Sequence, residues 1–207
     1  HVVEGIREGG RAGPSRARRR YQRKARRPVV GVGDMRGNVD TRVRKSSELG
    51  LDGTILAAAG IRRLKREGEA SFFFAVEQMI PAVGQGVIAI ETREDDPRIR
   101  KLIASLNDED AAAAVSAERA LMRELEGGCQ VPIGAHAVIY DGNLVMNAYL
   151  GSVDGADYIR DLIEGPLASA SELGLELARR MYKAGGDRIL AEVRAAEADG
   201  APAVDHP

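Results

Sequence analysis

The chain has no tryptophan, only three phenylalanines, and a single cysteine among its 207 residues. One cysteine cannot close an internal disulfide, which excludes a disulfide-stapled scaffold and fits a reducing compartment. The three histidines, His1, His136 and His206, are scattered and have no metal-ligand spacing. No apolar run approaches the roughly 18 residues that a membrane-spanning helix needs. The opening residues also lack the apolar core of a secretory signal, and the chain starts on His1 rather than Met, as expected of a fragment. A formal net charge of -1 gives no overall attraction to nucleic acid or to an anionic membrane.

What remains is ordinary globular material, 44% hydrophobic and 29% charged, long enough for one large or two small domains. The charge is unevenly spread. Residues 1–27 hold ten Lys/Arg against two Glu, so the rest of the chain is acidic. This Arg/Gly-rich segment has neither helical nor strand periodicity and reads as a solvated tail. The sharper alternative is that its arginines contact an anionic ligand.

Order is expected from Pro28. Pro28-Val-Val-Gly-Val reads as a strand, and the polar stretch 34–42 as a loop opening a helix. Residues 53–59 start as a buried strand, and their alanines pass into a helix carrying Arg62 and Arg63. Val87-Ile-Ala-Ile90, after the glycine turn at 84–86, reads as a third strand. Strands alternating with helices predict an α/β layer with parallel pairing over 28–94.

Residues 95–207 have a different texture, and the boundary is placed near 92–97. Asp96-Pro97 opens a short helix to Leu106, and Asp108 caps a longer one with Ala111, Val115, Met122 and Leu125 near one face. Gly127 and Gly128 are expected to end that helix. The runs 135–140 and 144–150 flank Asp141-Gly142, a strong hairpin signal, and 158–163 supplies a third strand. Ser169 and Glu172 read as a capping box for a helix whose stripe is Leu173, Leu177, Met181 and Tyr182. The expectation is a small α+β domain with a three-stranded antiparallel sheet.

Gly31-Val-Gly33 after a strand suggests a dinucleotide turn, but the third glycine falls on Arg36 and the motif fails. Arginine recurs in the first half at Arg18, Arg19, Arg36, Arg42 and Arg63. Guanidinium forks hold carboxylates through paired charge-assisted bonds, so several of them suit a polycarboxylate ligand; solvated surface arginines are the plain alternative. There is no aromatic-basic interleaving, and Phe72-Phe-Phe74 reads as core, against a nucleic-acid surface. Glu126-Gly-Gly-Cys-Gln-Val-Pro-Ile-Gly134 puts Cys129 on a turn between a helix and a sheet. A helix C-terminus is the wrong end to activate a thiol, and local physics leaves an exposed and a buried inert cysteine equally open. His136 has no orienting third group that would make a Cys-His pair.

Four blocks occur together: Arg36-Gly-Asn-Val-Asp-Thr-Arg42, Ile55-Leu-Ala-Ala-Ala-Gly-Ile-Arg-Arg-Leu64, Pro81-Ala-Val-Gly-Gln-Gly86 and Glu126-Gly-Gly-Cys-Gln-Val-Pro-Ile-Gly-Ala135, with Ala117-Glu-Arg-Ala120 before the last. In this order they resemble the porphobilinogen deaminase (hydroxymethylbilane synthase) family, over residues 35–193. The resemblance implies a dipyrromethane cofactor joined by a thioether to Cys129. On it, four porphobilinogen molecules condense head to tail with loss of ammonia. Arg36, Arg42 and Arg63 match family arginines that bind cofactor or substrate carboxylates. Gly13-Pro-Ser-Arg-Ala-Arg-Arg19 falls where the family has Gly-Thr-Ser-Ser-x-Arg-Arg. Ser15, Arg18 and Arg19 match there, and Pro14 and Arg16 depart. The likeness assigns Arg18, Arg19 and Ser15 to the cofactor, and Arg19, Arg42 and Arg63 to the substrate.

The resemblance also implies a periplasmic-binding-protein-like, doubly wound first part, here incomplete, followed by the α+β domain that carries the cysteine. Family enzymes have a further domain with the aspartate that handles the pyrrole nitrogens, and nothing in residues 1–13 is similar to it. A truncated enzyme is therefore expected, monomeric, with porphobilinogen as substrate, no metal, no nucleic acid and no membrane. The bacterial cytosol or the plastid stroma would house it. A non-catalytic pyrrole-binding remnant is the first alternative, separated by an assay for porphobilinogen consumption. A basic-tailed nucleic-acid binder is the second, separated by steeply salt-dependent binding.

Overall fold

The structure, a computed structural model, describes residues 12–13, 18–19, 22, 37–126 and 131–198. It is a mixed helix-and-strand protein whose main sheet is three-stranded and antiparallel. The expected strand at 28–32 and the glycines Gly127 and Gly128 lie outside the described residues.

In the first part, strand β1 (Ala12–Gly13) pairs in parallel with β2 (Gly53–Thr54). Helix α1 (Val39–Glu48) starts where Asn38, in extended backbone, accepts the Thr41 amide on its side chain at 2.9 Å. Asp40 near its start and Lys45 near its end complement the helix dipole. Helix α2 (Ala58–Arg63) buries only Ile61 and carries Arg62 and Arg63 in its last turn. Arg66 then ties the short 3-10 turn Glu67–Glu69 to α1 through ion pairs with Glu69 and Asp40.

Three expectations for this half fail. Residues 1–27 are not simply a tail, because β1 pairs with β2, and Arg18, Arg19 and Gln22 are helical and buried. A two-residue strand and a helix that buries polar groups give no apolar periodicity to detect. Residues 87–90 form no strand, and Ile88 is 74% exposed. An apolar run becomes a strand only beside a partner for its amides and carbonyls, and no described strand pairs with it. Phe72 and Phe73 are exposed rather than core. Instead Phe72 meets Phe74 edge to face at 5.3 Å, and the Arg62 guanidinium lies 5.5 Å from the Phe73 ring centre.

The second part holds the principal core. Asp96 accepts the Ile99 amide at 3.0 Å and Pro97 opens α3 (Pro97–Ile103), which tightens into a 3-10 turn at Ala104–Leu106. Asp108 accepts the Ala111 amide at 2.9 Å and caps α4 (Glu109–Glu124). Strands β3 (Ile133–Tyr140), β4 (Asn143–Gly151) and β5 (Tyr158–Pro166) follow in spatial order β3-β4-β5. Asp141 and Gly142 both have positive φ, 50° and 75°, as the expected two-residue hairpin turn requires. A 3-10 turn, Leu167–Ser169, leads into α5 (Ala170–Met181); a π turn at Tyr182–Gly186 then leads into α6 (Asp187–Ala198).

Leu144, Met146, Ala148 and Leu150 alternate along β4 and are completely buried, meeting Leu121 and Leu125 of α4 and Leu177 and Met181 of α5. Each such large side chain contributes about 1.5–3 kcal/mol. Helix α1, by contrast, buries no residue. The buried stripe of α4 is Ala117, Ala120, Leu121 and Leu125, one step round from the face expected through Val115 and Met122. Small alanines on both sides blur the apolar edge in sequence. Ser169 makes no capping bond, because it belongs to the preceding 3-10 turn rather than having the extended backbone of a cap. Tyr182 leaves the expected stripe of α5 where the π turn begins and is 47% exposed.

Candidate functional site

The arginines expected to bind carboxylates separate into two kinds. Arg42 sits in the first turns of α1, half-buried, with its Nε donating to the Gly37 carbonyl at 2.8 Å. That bond uses one edge of the fork and leaves the terminal nitrogens with no hydrogen bond among the described residues. Arg63 is exposed at the end of α2 and makes no hydrogen bond or ion pair among the described residues. Arg66 nearby differs: the bond to Glu69 first, then Asp40, holds its guanidinium protonated and neutralises it.

Arg18 and Arg19 are buried. Arg18 donates to the Ile80 carbonyl and, at 3.4 Å, to the Gln85 side chain. Arg19 donates to the Ile55 carbonyl at 2.9 Å. These bonds attach the residues to the backbone of their neighbours, a role the residue types alone did not reveal. Ser15, Arg36 and Cys129 lie outside the described residues.

Two further residues join the segment before the glycine turn. Gln22 donates to the Ile80 carbonyl at 2.9 Å and accepts the Ile80 amide at 2.8 Å, closing a paired amide contact. Glu118, buried on α4, accepts the Gly84 amide at 2.6 Å and the Ala137 amide at 2.8 Å. Burial pushes its carboxyl above the ordinary range, and the two amide bonds only partly oppose this. Glu118 falls in the Ala117-Glu-Arg-Ala120 block, and its signal in the sequence is a carboxylate on the buried face of a helix. His136 of β3 is half-buried, and burial holds its imidazole below the ordinary range against an opposing pull from Glu77.

Among the described residues, no group of three His, Cys, Asp or Glu side chains is placed to hold a metal. No helix among them is long and apolar enough to cross a membrane.

An arginine-bearing first part joined to an α+β domain defines a mixed helix-and-strand protein, and comparison with known proteins makes the assignment specific. Residues 2–101 match the porphobilinogen deaminase dipyrromethane cofactor binding domain, and residues 112–183 match the porphobilinogen deaminase C-terminal domain. The chain belongs to the porphobilinogen deaminase family. The match from residue 2 brings the Arg-rich opening segment into the family, correcting the expectation of a likeness that begins near residue 35.

Porphobilinogen deaminase of Syntrophotalea carbinolica is 44% identical over 184 residues, 89% of this chain and 58% of that protein. The protein of the same name from Pelobacter propionicus is 46% identical over 185 residues, 89% of this chain and 60% of the relative. That from Trichlorobacter lovleyi is 45% identical over 188 residues, with 91% and 60% covered. The chain therefore spans about 60% of the length of the curated relatives it matches.

Proposed function

We propose that this chain acts in tetrapyrrole biosynthesis as a hydroxymethylbilane synthase, condensing four porphobilinogen units head to tail with release of ammonia. The observation that carries the reading is the pair Arg42, half-buried, and Arg63, exposed, whose terminal guanidinium nitrogens make no hydrogen bond among the described residues. Each pyrrole bears acetate and propionate arms, so the growing product is a polyanion. Bidentate forks suit it better than lysines would, because two parallel bonds fix a carboxylate's orientation. The donor set on α1 and α2 fits a dipyrromethane.

In this reading Cys129 anchors the cofactor through a thioether, with Arg36, Arg42, Arg18, Arg19 and Ser15 around it and Arg63, Arg19 and Arg42 facing substrate. A tethered primer keeps a short oligomer at high effective concentration in the site. When bound, the dipyrromethane supplies the pyrrole carbon that is extended. Arg18 and Arg19, with guanidinium bonds to backbone carbonyls, hold the Ile80 and Ile55 backbone in place. We assign residues 28–94, together with strand β1 and the buried Arg18, Arg19 and Gln22 before them, to a partial periplasmic-binding-protein-like domain and residues 95–207 to the cysteine-bearing domain, acting as a monomer in the cytoplasm.

Intact-mass spectrometry of chain made with porphobilinogen available tests the anchor. The expected result is an increment of two pyrrole units that Cys129→Ser removes. An unmodified thiol in loaded cells overturns it. Porphobilinogen consumption by the same preparation tests turnover, and binding without consumption identifies a non-catalytic pyrrole binder.

A further inference from the structure

Strand β3 lies at an edge of the sheet, where alternate amides point away from β4 and need another partner. Two successive outward amides are satisfied by different means. Ala135 donates to the Pro81 carbonyl at 3.1 Å, so the connecting backbone covers the edge there. Ala137, two residues on, donates to the Glu118 carboxylate at 2.8 Å. The second oxygen of the same carboxylate accepts the Gly84 amide at 2.6 Å, three residues beyond Pro81. A closed ring results, running from β3 through Pro81 and Gly84 to Glu118 and back to β3.

The ring sits where the two parts of the chain meet. From one side, Gln22 and Arg18 grip the Ile80 backbone. From the other, Arg160 of β5 donates to the Glu77 carbonyl at 2.8 Å. Close packing reinforces the position: a Cβ at Gly134 would lie 2.9 Å from the Pro81 oxygen. Gly84 itself has a φ of 68°, so its amide is aimed by a backbone conformation that side chains disfavour.

We propose that Glu118 is a positioning residue that locks the register of the 80–84 segment on the edge of β3 and so couples the arginine-bearing part to the C-terminal sheet. A carboxylate is the side chain that can do this, since it offers two acceptor oxygens and no donor. Glutamine has one acceptor and an amide nitrogen that would confront one of the two N–H groups. Leucine would fill the volume and leave both amides unsatisfied. The proposal does not depend on Cys129 holding a cofactor, because it concerns only the amides that Glu118 accepts.

Amide-resolved hydrogen exchange on the full chain provides the test. In the unmutated protein, Gly84 and Ala137 should exchange with protection within about threefold of each other, as one cooperative unit. Protection at Ala137 with free exchange at Gly84 overturns the proposal, and this comparison stands even if a variant fails to fold. Glu118→Gln should accelerate Gly84 or Ala137 by about 10- to 100-fold, the factor expected for one lost hydrogen bond to a charged group. Amides in the middle of α5 should keep their protection. Acceleration spread evenly over α5 as well, as a Leu177→Ala control would give, reduces Glu118 to a general contributor to stability and overturns the proposal.

Discussion

Gly174 of α5 faces the Ala117 carbonyl of α4 so closely that a Cβ at position 174 would lie 2.2 Å from that oxygen. The two helices approach through small residues, with Ala120 also within contact of the same point. This contact sets how deeply both helices sit on the sheet, and therefore how Leu121 and Leu177 meet β4.

Gly174→Ala is accordingly expected to destabilise the chain, although alanine is the better helix former by about 0.8–1.0 kcal/mol. Overpacking a close contact costs about 1–3 kcal/mol, so the helix gain offsets only part of it. Urea denaturation should show a lower midpoint with an unchanged slope. A raised midpoint would mean that the helices can move apart at no cost.

The α+β half was legible because its signals are local and repeated. Asp141-Gly142 dictated a primed turn, Asp96 and Asp108 dictated helix starts, and alternation along β4 dictated its buried face. The first half was less legible because its residues are satisfied by distant partners. Arg18 and Gln22 meet Ile80 across about sixty residues, and a buried polar helix has no apolar stripe to announce it. The run 87–90 misled for the opposite reason, since its composition suits a strand while no described neighbour pairs with it. For the candidate site, motif order identified the arginines, yet only geometry separated the half-buried Arg42 and exposed Arg63 from the buried Arg18 and Arg19. Glu118 shows the same limit, because its two amide donors lie 34 and 19 residues away.

His136 gives the chain a predictable response to mild acid. Burial lowers its folded pKa below the ordinary value of 6.5, with Glu77 acting in the opposite sense. Between the two pKa values the unfolded chain binds more protons, so stability rises with pH across that window. The contribution is fully present above pH 6.5 and is lost as pH falls through the depressed folded value. Urea midpoints measured from pH 5 to 8 should therefore fall on acidification, and His136→Gln should flatten this component. A difference between the two proteins that stays constant with pH would contradict the assignment.

Arg42 and Arg18 should respond to the same substitution in opposite ways. Arg42 is half-buried and gives the fold one hydrogen bond among the described residues, a solvent-exposed one to the Gly37 carbonyl. Its replacement by leucine should change stability by about 1 kcal/mol or less, as expected for an exposed hydrogen bond. Retention of a carboxylate-bearing cofactor should fall much further, by about 10- to 100-fold, the scale of a lost charge-assisted contact of 1.5–3 kcal/mol. Arg18→Leu removes donors from the buried Ile80 carbonyl and from Gln85, so its main cost should appear in folding. Thermal denaturation of cofactor-free protein, paired with intact-mass measurement of the retained cofactor, separates the two effects. Equal loss of thermal stability in both variants would make Arg42 a structural residue and remove half of the guanidinium pair on which the carboxylate site rests.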